Sequence, residues 1–223
     1  MEISKIDHQS YIKDESELVD FRDRLKKSGA EKYDTTLIDR QIQRISMLKK
    51  IHQLTGLQFD VGKNDDNQNV AAFVEPENGF KPTIIEETLE LSEDQVLKIA
   101  EHEKIHIESK TSSLNPEKFL ESEQYQILLE SLQIKELTEH DLIEGFTDAI
   151  TNQRKGKNEI SAYQHREVPI AEKLEKLAKE KLKISFFDLF STGQKEELIE
   201  NICRLADILL IEKIQTDLHS YAA

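Results

Sequence analysis

The chain has 223 residues, enough to bury a substantial core as one domain or one domain with a helical appendage. Its 30 basic and 44 acidic residues leave a net charge of −14, which argues against a nucleic-acid binder, because phosphate contacts need a basic face. A single cysteine rules out an internal disulfide, and the N-terminal stretch carries no apolar leader core or membrane-length apolar run. A cytoplasmic protein without a membrane partner is therefore expected, with leaderless secretion as an effector the alternative.

Residues 1–34 are polar and charged and read as an N-terminal segment with a short helix over Glu15–Lys27. The rest, 35–223, reads as one domain, with a sheet and a motif-bearing helix in 57–110 and a helical part in 116–223. Ile38, Ile42, Ile45, Leu48 and Ile51 repeat at helical spacing and predict a core helix over 35–54, ended by Gly56. Three strand candidates follow: alternating Leu57–Val61, the apolar run Val70–Val74, and Thr83–Leu91 with Ile84, Ile85, Leu89 and Leu91. The polar, turn-rich stretches Gly62–Asn67 and Glu75–Gly79 separate them.

Ser92 and Gln95 form a capping-box pattern, followed by acids in the first turn and an apolar flank of Val96, Leu97 and Ala100. The predicted helix carries His102-Glu103-Lys104-Ile105-His106. Imidazoles four residues apart lie on one helical face and can converge on a single metal, and Glu103 falls where a general base for water belongs. Five residues of this kind also arise by chance on charged surface helices, so the surroundings must decide.

Zinc needs a third protein ligand. The best candidate is Glu144, 38 residues after His106. It lies on a helix that Thr138 or Asp141 starts and whose buried side is Leu142, Phe146, Ala149 and Ile150. Glu108 and His140 are rivals. Asp148, four residues after Glu144, can accept the free ring N–H of a histidine ligand and fix its tautomer. The basic residues Arg154, Lys155 and Lys157 suit a helix C-terminus.

Tyr163 and His165 are the candidate donors to an oxyanion. Val168–Leu182 and then Phe190-Ser191-Thr192-Gly193 follow along the chain. A terminal helix over Glu196–His219 packs on the domain or serves as a partner-binding helix. Cys203, between Ile202 and Arg204 and near Leu205, reads as a buried structural thiol, and His8, His52 and His219 as silent.

The pair HExxH and Glu144-x-x-x-Asp148 resembles the gluzincin branch of zinc metallopeptidases. Glu144-Gly145-Phe146-Thr147-Asp148 also resembles the "EGxT" helix of small bacterial and phage zincin-like proteins, which continue with a tyrosine-containing turn, an amphipathic helix and an "FSxG" segment. The likeness spans residues 57–200. Lys104-Ile105 and Gln164-His165-Arg166-Glu167 depart from its usual wording.

The resemblance implies an α+β zincin-like fold: a small, mainly antiparallel sheet packed on the active-site helix, with a helical C-terminal part. It implies one Zn2+ held by His102, His106 and Glu144, with Glu103 as base and Asp148 orienting a ligand. Extended peptide substrate would pair with an edge strand within residues 70–88. The function expected is zinc-dependent peptide hydrolysis. The alternatives are a zinc-binding zincin-fold regulator without efficient hydrolysis and a helical interaction protein with an accidental motif.

Overall fold

In the computed structural model of the chain, residues 8–27, 35–63, 71–75, 79–110, 114, 122–157 and 161–221 are described. Among them helices dominate, and the strands are confined to residues 60–85. The chain divides into two units, Met1–Ile107 and Glu108–Ala223.

The first unit opens with α1 (His8–Lys27) and α2 (Thr36–Thr55), packed together. Arg22 of α1 reaches Asp39 of α2 at 3.3 Å, and Lys49 pairs with Glu15. As the isoleucine spacing predicts, α2 stops at Gly56, which adopts a left-handed conformation and returns its N–H to the His52 carbonyl.

Three short strands follow: β1 (Asp60–Gly62), β2 (Ala72–Glu75) and β3 (Lys81–Ile85), in sheet order β1-β3-β2. The β2–β3 pairing is antiparallel, with Phe73 opposite Thr83, and the β1–β3 pairing is parallel, with Val61 opposite Ile84. The sheet is therefore mixed, not mainly antiparallel. The link between β2 and β3 is short enough to force a hairpin. The chain between β1 and β3 contains all of β2 and is long enough for a crossover. Central β3 buries four consecutive residues after exposed Lys81, whereas edge strand β2 lies inside the interval expected for an edge.

The third strand ends sooner than expected. Residues 86–90 turn into a 3-10 helix instead of continuing to Leu91. Glutamate is a poor strand residue. Here Glu86 and Glu90 both pair with Arg44 of α2, the turn buries Leu89, and the Thr88 hydroxyl donates to the Ala71 carbonyl at 2.8 Å.

The last helix of this unit, α3 (Glu93–Ser109), begins with the predicted capping box. The Ser92 N–H donates to Gln95 Oε1 at 3.2 Å, and the Gln95 N–H donates to Ser92 Oγ at 3.4 Å. Val96 and Ala100 of α3 join Met47, Leu48 and Ile51 of α2, Phe59, Ile84 and Leu89 in one core cluster. Each such large side chain contributes about 1.5–3 kcal/mol by leaving water. The unit division falls inside α3, so that Glu108 and Ser109 belong to the second unit.

The second unit is helical throughout its described residues: α4 (Glu123–Leu132), α5 (Glu139–Lys155), α6 (Glu167–Lys181), α7 (Phe186–Ser191) and α8 (Lys195–Tyr221). Both starts considered for α5 act together. Thr138 Oγ1 accepts from the Asp141 N–H at 3.1 Å, and the Thr138 N–H donates to Asp141 Oδ2 at 2.7 Å. Leu142, Phe146, Ala149 and Ile150 are buried as expected. Phe146 is ringed by Phe186, Phe187 and Phe190, at centroid distances of 6.5, 5.7 and 5.4 Å.

At Gly145 helix α5 lies tight against the start of α6. A Cβ there would lie 2.5 Å from the Glu167 carbonyl oxygen, so only glycine permits the approach. Buried Glu175 on α6 caps α7 by accepting from the Phe187 N–H at 3.1 Å and the Ser185 hydroxyl at 2.8 Å. The inner half of α8 buries Leu198, Ile202, Leu205 and Ala206, and its outer half exposes Ile211 and Ile214. Cys203 is half-buried, not fully enclosed, because it sits beside that buried stripe and not in it. Burial first, then the nearby Asp207 charge, pushes its thiol pKa up and keeps it protonated. No helix among the described residues is long and apolar enough to cross a membrane.

Candidate metal centre

Helix α3 delivers its two histidines to one face. His102 Nε2 and His106 Nε2 lie 3.0 Å apart, with ring centroids 4.7 Å apart and planes inclined at 69°. In the absence of an ion, such a contact requires one ring to carry its proton on Nε2 and the other to accept it. A metal between the rings would instead take both Nε2 atoms as ligands and place both protons on Nδ1. Zinc–nitrogen bonds of about 2.0–2.1 Å at a tetrahedral angle set two ligand nitrogens about 3.4 Å apart. The pair therefore meets that spacing with a ring movement of a few tenths of an ångström, and its donor chemistry fits zinc.

The residues between and beside the histidines do not resemble a surface helix. Glu103 is only 6 % exposed, Glu101 3 % and Ile105 0 %. A charged solvent-facing helix would leave both acids in water, where they cost nothing to ionise. Burying a carboxylate costs several kcal/mol unless partners compensate, so neither acid is an ordinary solvated surface residue. His102, His106 and Lys104 are half-buried.

In the second unit, Glu144 is half-buried on α5, and Asp148, one turn later, is completely buried. Asp148 accepts from the Ser161 hydroxyl and from Gln164 Nε2, the latter at 3.3 Å. Gln164 is itself buried, and its Oε1 accepts from Asn152 Nδ2 at 3.0 Å. Asp148 is thus a buried acceptor inside a polar cluster, and not a solvated surface acid. Sequence reasoning missed Ser161, Gln164, Asn152 and Glu101. The only trace of the cluster in the sequence is the four-residue spacing of Glu144, Asp148 and Asn152 along α5.

Tyr163 and His165 sit on a 3-10 turn, Ala162–His165, started by Ser161, whose Oγ accepts from the Tyr163 N–H at 3.2 Å. The Tyr163 ring is half-buried and packs edge-on against His140, with centroids 5.5 Å apart at 73°. His165 is exposed. Of the rival ligands, Glu108 is exposed and paired with Arg154 at 3.0 Å, which gives Arg154 a specific partner beyond the helix dipole. His140 is exposed and engaged with Tyr163.

A scan against protein-family models finds no match for the chain, and searches of curated proteins and of solved structures likewise return none.

Proposed function

We propose that the chain is a zinc-dependent peptidase in which His102, His106 and Glu144 hold one Zn2+ and Glu103 is the general base. The observation that carries this reading is the His102–His106 pair, two ring nitrogens 3.0 Å apart on one helix face, flanked by buried Glu103. Glu144 is supported by its chemistry, since it and the two histidines each offer one donor atom of the kind zinc takes. When bound, zinc lowers the pKa of water towards neutral and polarises a carbonyl oxygen.

Glu103 accepts the proton of the attacking water on a carboxylate oxygen and later returns it to the leaving amine nitrogen. Its burial suits that task, because a carboxylate held from bulk water keeps its proton for transfer within the site. Tyr163 donates its phenolic proton as a hydrogen bond to the oxyanion, and His165, exposed on the same turn, stands as an alternative donor. Edge strand β2 is where an extended peptide substrate would add by backbone pairing.

Hydrolysis of a mixed-sequence quenched-fluorescent peptide library tests the proposal. Glu103→Gln should lower turnover by about 10²–10⁴-fold with zinc content unchanged. Equal turnover by wild type and Glu103→Gln would contradict it. Bound zinc with no cleavage by the wild type would favour the regulator.

A further inference from the structure

The polar residues of α5 at positions 140, 144, 148 and 152 fall four apart and share one helix face. Three of them engage the same turn. His140 meets the Tyr163 ring, Asp148 accepts from Ser161 and Gln164, and Asn152 donates to Gln164. Glu144 lies in the middle of that face. Ser161 stands two residues before Tyr163 and Gln164 one residue after it, so both sides of the tyrosine are fastened to α5. Ser161 Oγ also accepts from the Tyr163 N–H, which ties the tyrosine backbone to the same anchor.

We infer that Asp148 is a positioning residue for Tyr163: it clasps the 161–164 turn against α5 and so presents the phenol on the face that carries Glu144. A solvated loop tyrosine would have to be ordered afresh for each substrate, whereas this one is held in place beforehand. The catalytic consequence rests on the peptidase reading. The positioning does not, because it is carried by contacts within the second unit alone.

Aromatic NMR of the full chain tests it, with Tyr163 assigned through Tyr163→Phe and the cross-relaxation peak between the Tyr163 and His140 rings as readout. In folded Ser161→Ala or Gln164→Ala that peak should fall at least about threefold, and Ser161→Thr, which keeps the hydroxyl, should restore it. Asp148 is left in place, since an unfolded variant would report nothing. Cleavage of the peptide library should fall about tenfold in Ser161→Ala, the expected result of a misplaced donor. An unchanged peak in both alanine variants would overturn the inference whatever the zinc content. A reduced peak in a protein that binds no zinc would uphold the positioning and defeat the hydrolase reading instead.

Discussion

Helix α3 brings His102 and His106 together through four-residue spacing alone, whereas α5 holds Asp148 through Ser161 and Gln164, which lie 13 and 16 positions further along the chain. The first arrangement is a property of one helix and needs only that the helix exist. The second needs α5, the turn after it and the core beneath them to be assembled together. Local geometry should therefore survive damage to the core, and the clasp should not.

The largest effect on stability is expected at Phe146, buried among three other phenylalanines. Phe146→Ala should cost about 3–5 kcal/mol in a urea titration and loosen the Tyr163–His140 contact. A folded Phe146→Ala that keeps that contact would erase the contrast between the two helices. Gly145→Ala comes next. Its methyl would meet the Glu167 carbonyl, and separating α5 from α6 should cost about 1–3 kcal/mol by the same measurement. Wild-type stability would show that the close approach is not what glycine serves there. Thr138→Ala removes one half of a capping box and should cost about 1 kcal/mol in thermal unfolding. It should fray the first turn of α5 while the Asp148 clasp persists.

The same contrast explains what was legible beforehand. Gly56 at the end of α2, Ser92 and Gln95 at the start of α3, and Thr138 with Asp141 at the start of α5 were all readable, because a cap is written within four residues. The His102–Glu103–His106 face was readable for the same reason. The parallel pairing of β1 with β3 was not, since hydrophobic pattern fixes which residues are buried but not which strand lies beside which. The 3-10 turn at 86–90 depends on Arg44, over forty positions earlier, and the cap of α7 depends on Glu175 from another helix. The α7 helix was visible only as the aromatic segment beginning at Phe190. Glu101 looked like an ordinary surface acid in so acidic a chain, and only burial distinguishes it, whereas Asp148 stood out by its spacing from Glu144 but its partners Ser161 and Gln164 did not.

The central claim is that His102 and His106, with Glu144, hold a metal. Elemental analysis of the purified full chain tests it most directly, with wild type beside His106→Ala and Glu144→Ala. The account predicts about one zinc per wild-type chain and its loss or marked weakening in both variants. A folded wild type that takes up no zinc even after reconstitution, or a His106→Ala protein that retains its full complement, would contradict it.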